Sequence, residues 1–248
     1  MTRRPANTFW RRLERHILVA GAASILSVSA FGQGISASEC GVLDNPLGPF
    51  DYRKARYMSK RGVVTDRLLR DVEINHFRIE IENLTRAGTS TFGGDLNYVL
   101  TMYPNHHRAL ATMARLGKKQ GTDKPTGAPF VVECYFERAL RFLPDDHIAR
   151  GLYANFLIEA NRSAEAEKQL DRAAYDAKNI AIAQHNVGLL YLRNGNVDKA
   201  LHQAHVAQSL GFDISRLQRL LEEKGAWKAA EVAAERPGSP ASGAASRP

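Results

Sequence analysis

Cysteine is almost absent from this sequence. Its 248 residues hold two, Cys40 and Cys134, so no paired CxxC exists. There is also no HExxH, no GxSxG and no glycine-rich loop of the phosphate-cradling kind. These gaps remove the common signatures of zinc hydrolysis, serine nucleophiles and nucleotide binding. No stretch alternates apolar and polar residues between hairpin signals, which argues against a sheet. Long apolar runs are missing too. Ile17 to Ala30 is a run of 14 residues, short of the ~20 needed to span a bilayer comfortably, and no second run is long enough.

Charge of one sign is also scarce once it is divided. The formal net charge is +8. Residues 1–30 hold five Arg and one Glu, or +4, which leaves 29 basic and 25 acidic residues, also +4, for the rest. A mild excess spread over 218 residues lacks the basic stripe with stacking aromatics of a nucleic-acid binder. No nucleic-acid partner is expected.

The first 30 residues account for half of the charge. "MTRRPANTFWRRLERH" is a basic leader, followed by the apolar run and by the small residues Val28 and Ala30. This order reads as a secretory signal over 1–30, with the mature chain starting near Phe31; a retained anchor is the alternative. Glu39 stands where a lipid-attachment cysteine needs a small neighbour, so Cys40 is not one. In an oxidising compartment two cysteines form a disulfide candidate, the alternative being two buried thiols.

From Thr65 onward apolar residues recur at helical spacing. "TDRLLRDVEINHF" puts Leu68, Leu69, Val72 and Phe77 near one face, with Thr65 or Asp66 as its cap. "IEIENLTRAG" continues or restarts that helix as far as Gly88. Leu96, Val99 and Leu100 align in the next segment, which breaks at Pro104; Asn105 is the expected cap of the helix after it. Residues 34 apart also match. Ala154 pairs with Gly188, Leu157 with Tyr191, Asn161 with Gly195, Ala166 with Ala200, Leu170 with Ala204 and Ala173 with Ala207. A helix pair of this period, with small residues where helices cross, resembles the tetratricopeptide repeat. Gly188, Tyr191, Gly195, Ala200 and Ala207 carry the match in the clearest copy, and Pro144 closes the copy before Asp145.

The resemblance implies an all-α right-handed superhelix of stacked helix-turn-helix repeats over 65–235, preceded by an extended segment over 31–64. Leu217, Leu220 and Leu221 would face back from an end helix. Stacking buries faces that no single pair can bury alone. "ERPGSPASGAASRP" offers almost no large apolar residue and reads as a disordered tail over 236–248. "CG", "GPFDYR", "VEINHF", "GGDLNYVL" and "PNHHRAL" further resemble a group of exported tetratricopeptide proteins of Gram-negative bacteria. That resemblance implies a periplasmic location and brings no activity with it. Within this picture Cys40 is expected to bond Cys134, pinning the N-terminal segment across the repeats. Pro46, Phe50 and Tyr52 would pack on helix faces and cap the open end.

Tetratricopeptide arrays usually bind a peptide or partner along their first helices. The resemblance therefore implies a groove formed by Asn155, Glu159, His185, Asn186, Leu189, Arg193, Arg216 and Arg219. The asparagine amides would serve an extended backbone and the arginines would favour carboxylates. Gly151 and Leu220 depart from the pattern that grips a C-terminal carboxylate, since cations are wanted there. The function implied is a protein-interaction scaffold, not an enzyme, with no cofactor and no metal. The alternative is a small-ligand or metal module using histidines. Glu73 with His76, His202 with His205, and the adjacent His106 and His107 are its candidates, and none has the third ligand a site wants. A weak membrane-surface contact through Arg53, Lys54, Arg56, Lys60 and Arg61 is weighed against ordinary solvation of these charges.

Overall fold

The computed structural model describes residues 39–59, 66–88 and 91–228. The leader, Lys60, Arg61, the Thr65 cap and the tail over 236–248 lie outside the described residues. Within them the chain is all-helical, with eleven helices and no β-strand. No described helix is long and apolar enough to cross a membrane.

The N-terminal segment is not extended throughout. Residues Tyr52–Ser59 form a helix, α1, that its dense basic charge hides from a periodicity reading. Tyr52 and Ala55 are buried while Arg56 and Tyr57 are exposed, so one narrow stripe docks. Next come α2 (Asp66–His76) and the single turn α3 (Ile79–Glu82). The expected helix running to Gly88 stops at Glu82, and Leu84 has a positive φ. On α2, Leu69 and Val72 are buried, as is Phe77 just beyond it, but Leu68 faces solvent.

Helix α4 (Phe92–Met102) is capped by Thr91, whose hydroxyl accepts from Gly94 N–H. Its Leu96, Val99 and Leu100 are buried as the spacing requires. Helix α5 (His107–Gln120) ends at Gly121, in the left-handed conformation that glycine tolerates best. The cap of α5 is His106, not Asn105: the ring Nδ1 accepts from Ala109 N–H at 3.1 Å. Asn105 is drawn elsewhere. It accepts from Tyr52 N–H and donates to Asp51 and Asp146, all at 2.9 Å.

The remaining helices are α6 (Val132–Phe142), α7 (His147–Glu159), α8 (Ser163–Asp176), α9 (Ala181–Arg193), α10 (Val197–Ser209) and α11 (Ser215–Glu223). Helices α7, α9 and α11 begin at 147, 181 and 215, and α8 and α10 at 163 and 197, so the 34-residue period of the sequence is a period of helix starts. Small residues mark the crossings. Ala154, Ala166, Ala173, Ala200, Ala204 and Ala207 are all fully buried. A Cβ on Gly188 would lie 2.6 Å from Leu217 Cδ2, so only glycine lets α11 come this close. Leu217 and Leu221 face back into the stack, with Leu220 partly buried against it.

From α4 onward consecutive helices pack on one another, and α5, α7, α9 and α11 also form a row in which each touches the next. This row carries the candidate site. Its other end is held by the N-terminal segment. Cys40 and Cys134 are joined as a disulfide spanning 94 residues of sequence. Closing a loop of that length stabilises the fold by about 4–5 kcal/mol through the chain entropy of the unfolded state. The backbone around it is strapped down. Arg138 donates to Cys40 O at 3.0 Å and Val42 O at 2.6 Å, Arg141 to Gly41 O at 2.7 Å, and Asn45 to Thr101 O at 3.2 Å. Tyr52 is the segment's buried anchor. Phe50 is 39% exposed, with its ring 5.8 Å from that of Tyr103, and Pro46 faces solvent, so neither seals the end as expected.

Candidate functional site

Three hollows lie along the helix row. The first, about 660 Å³, has an apolar floor of Ala111 and Ala114 on α5, Val132 and Phe136 on α6, and Leu152 and Phe156 on α7. Its rim is charged, with Arg108, Arg115 and Lys118 facing Glu82, Asp123 and Glu159. The second, about 490 Å³, lies between α7 and α9 among Ile148, Gly151, Leu152, Ile182, Val187, Leu189 and Leu190, with the amides of Asn155 and Asn186 beside them. The third, about 300 Å³, is bounded by Tyr52, Arg53, Arg56, Tyr57, His107 and Ile148. The first two share Leu152 and Asn155, and the last two share Ile148, which makes one continuous track.

Five of the eight groove residues expected from the sequence come together here. Asn155 and Glu159 border the first hollow, and Asn155, Asn186 and Leu189 the second. Arg193 spans the rim, donating to the Asn155 amide oxygen and, at 3.0 Å, to Glu159. Lys118 reaches the same carboxylate at 3.1 Å. Burial would raise the Glu159 carboxyl, but the hydrogen bonds from Arg193 and Lys118 outweigh it and hold the group below its ordinary range. The strut keeps Glu159 ionised and orients the Asn155 amide. Asn186 is exposed and makes no side-chain hydrogen bond among the described residues.

The other three sit elsewhere. His185 faces the interior, 6% exposed, its ring 4.9 Å from that of Phe212. Helical spacing alone does not explain it: 185 is three residues after Ile182 and four before Leu189 and so lies beside them, at the edge of the face toward the track, where its ring turns against Phe212. Burial and then the Arg216 charge push the His185 imidazolium down, so it stays neutral. Arg216 and Arg219 are exposed on α11 and border none of the three hollows; Arg219 lies 3.9 Å from Glu223.

Three of the five histidine candidates are each taken up by a different carboxylate, while His202 is exposed. His76 Nδ1 is 3.1 Å from Asp95, His106 Nε2 is 3.0 Å from Glu73, and His107 Nε2 is 2.9 Å from Asp146. Glu73 and His76, paired in the sequence reading, thus face different neighbours. His205 Nε2 lies 2.7 Å from Lys228 O, with its ring against Trp227. No group of three metal-ligating side chains occurs among the described residues.

Asp146 is the centre of this corner. Its side chain is fully buried, caps α7 by accepting from Ile148 and Ala149 N–H, and also takes Asn105 and His107. Burial alone would raise its carboxyl, but the His107 hydrogen bond and charge, the Ala149 N–H and the Asn105 amide bring it down to about 2. Arg53 lies 3.5 Å from Asp51, 3.4 Å from Asp145 and 3.8 Å from Asp146. The first member of the basic run is therefore structural, while Lys54 and Arg56 are exposed.

No protein-family model matches this chain, and no curated protein matches it significantly.

The sequence reading missed the first hollow. Phe136 and Phe156 carry core spacing and pack ring to ring at 5.4 Å, yet Phe156 is only partly buried. The signal was the insert "KKQGTDKPTGAP", which holds α6 away from the regular step. Helices α4 and α5 begin at 92 and 107, and α6 and α7 at 132 and 147, a step of 40 in both cases where the later pairs step by 34.

Proposed function

We propose that this chain is an exported scaffold of the tetratricopeptide kind, working in the periplasm, which holds an extended segment of another protein along α5, α7 and α9. It acts by binding, not by catalysis. The observation that carries the reading is the continuous track, whose shared wall at Leu152 and Asn155 joins an apolar floor to backbone-reading amides. An amide that both donates and accepts suits an extended chain of any sequence. The 34-residue helix period and the fully buried small residues at the crossings support the repeat architecture. The disulfide supports an oxidising compartment, and so an exported chain.

The test is retention of a partner from a periplasmic extract by the wild type, by an Asn155→Ala, Asn186→Ala double variant, and by a control altered on another face at Tyr175, which is 67% exposed. A partner kept by wild type and Tyr175→Ala but lost by the double variant is the expected result. Equal retention by all three would move the site off the track.

A further inference from the structure

Helix α1 packs beside α2 and docks on the helix row at a corner crowded with imidazoles. Among its described side chains only Tyr52 and Ala55 are buried. Asn105 accepts the Tyr52 N–H, and the Tyr52 ring lies 4.0 Å from that of His106 and 5.4 Å from that of His107. Arg53 reaches Asp145 at 3.4 Å and Asp146 at 3.8 Å, next to His147. The strap before α1, from Cys40 to Phe50, is held differently. The disulfide, Arg138, Arg141 and Asn45 fix its start, and the Phe50 N–H on Met102 O, at 2.8 Å, fixes its end. None of those contacts involves an imidazole.

Both nitrogens of His106 are in use. Nδ1 accepts from Ala109 N–H at 3.1 Å, Nε2 lies 3.0 Å from Glu73, and the Phe77 ring stands edge-on at 4.8 Å. A second proton must go to Nδ1, where it would meet the Ala109 N–H, donor against donor. The ring can take it only by turning, and the docked Tyr52 stands in the way. The groups facing His106 are Tyr52 and Arg56 from α1, Glu73 from α2, Glu82 from α3, and His107 and Arg108 from α5 itself. The two carboxylates favour its cation, but Arg108 lies 3.7 Å from Glu73 and also pairs with Glu82. Burial, the largest influence, holds the His106 imidazolium down. His147, half-buried in the first turn of α7, faces Asp146, His107 from α5, Arg53 from α1 and Asp176 from α8. Burial holds its imidazolium down too; the two aspartates oppose this, and His107 and Arg53 add to it.

We infer that α1 is an acid-released latch: protonation of His106 and His147 frees it from the helix row, while Cys40 to Phe50 stay strapped in place. Undocking takes Tyr52 off the His106 ring and the Arg53 charge away from His147. The open form therefore takes up protons that the docked form refuses, and a fall in pH shifts the balance toward it. Tyr52, Arg53, Arg56 and Tyr57 of α1 make up most of the wall of the 300 Å³ hollow. Release takes that hollow apart and uncovers His107 and Ile148 at the end of the track. The latch depends on how α1 is docked and not on what the track holds.

The test is amide hydrogen exchange of the full, disulfide-bonded chain at pH 7.5, 6.5 and 5.5, corrected for intrinsic rates, which reads the opening of each helix separately. At every pH the α1 amides should open at least about a hundredfold more often than those of α9 and α10, which marks a local event. Their opening constant should rise about tenfold between pH 6.5 and 5.5 for each proton taken up. His106→Asn with His147→Gln keeps a capping oxygen at α5 and removes both titrations, and should flatten that rise. Tyr52→Ala should leave α1 open already at pH 7.5, with α9 and α10 still protected. An α1 opening constant that does not change with pH overturns the latch. So does one equal to that of α9 and α10, since α1 then leaves only when the whole chain unfolds; both results are read on the wild type, whatever the variants do. An undiminished rise in the double variant overturns the assignment to these two imidazoles, and protected α1 amides in Tyr52→Ala overturn the role of Tyr52.

Discussion

His106 donates from Nε2 to the Glu73 carboxylate across 3.0 Å, because its Nδ1 is already occupied as the acceptor that caps α5. One ring therefore terminates a helix and ties α5 to α2, and only the neutral tautomer does both. Burial pushes the His106 imidazolium down; Glu73 opposes that, and Arg108 and His107 add to it. With the folded pKa below the unfolded value, the unfolded chain takes a proton that the folded chain refuses. The stability contribution is complete above about pH 6.5 and falls as pH drops from there toward the folded pKa. Unfolding free energies from urea titrations between pH 7.5 and 5.5 should decline by up to about 1.4 kcal/mol per pH unit for this one proton. His106→Asn, which keeps a capping oxygen and removes the titration, should flatten that slope.

Asp146 responds in a lower window. Its carboxyl, brought down to about 2 from an ordinary 3.8, contributes about 2 kcal/mol that is present above the unfolded value and lost as pH falls through the folded one. Asp146→Ala removes the α7 cap and strands Asn105 and His107. It should cost about 3 kcal/mol at neutral pH, measured by chemical denaturation. Amides 147–152 should lose hydrogen-exchange protection first.

The two cysteines are 0% and 2% exposed, so a reductant reaches the bond only when the segment opens. Dithiothreitol without denaturant should leave it intact by non-reducing peptide mapping, and with denaturant should cleave it. Cys40→Ser with Cys134→Ser should lower stability by about 4 kcal/mol, less any strain relieved. The segment should still dock through Arg138, Asn45 and Tyr52, which limited proteolysis would detect.

Two glycine substitutions should have opposite signs. Gly151→Ala meets only an ordinary contact and should stabilise by about 1 kcal/mol through helix propensity. Gly93→Ala drives a methyl into the backbone at Thr126 and Ala128, and should cost about 2 kcal/mol or more because the 121–131 loop must shift. Thermal denaturation of both variants settles the comparison.

Much of the helical order was legible because periodicity reports which face is buried. Leu96, Val99 and Leu100 showed their burial by spacing, and the matches from Ala154/Gly188 to Ala173/Ala207 fell on packed helix positions, except Asn161/Gly195, which share a positive φ in the turns between helices. Helix α1 was hidden because, among its described side chains, Tyr52 and Ala55 alone are buried, too few to leave a period. The capping residue was misread for a related reason. Asn105 and His106 both suit the role by local chemistry, and Asn105 was claimed by Tyr52, Asp51 and Asp146 from three distant points in the chain.

By itself the sequence determined the helix class, the 34-residue step and the two cysteines available for pairing. These depend on residue type and local spacing, which no distant contact alters. Only the tertiary structure decided which side chains face the track. It turned His185 inward, left Arg216 and Arg219 outside, tied Glu159 to both Lys118 and Arg193, and left Gly151 with open space where Gly93, Gly117 and Gly188 have none. Whether a side chain is buried, paired or free depends on the helix that packs beside it. For the helix row that neighbour lies 30 to 40 residues away in the chain.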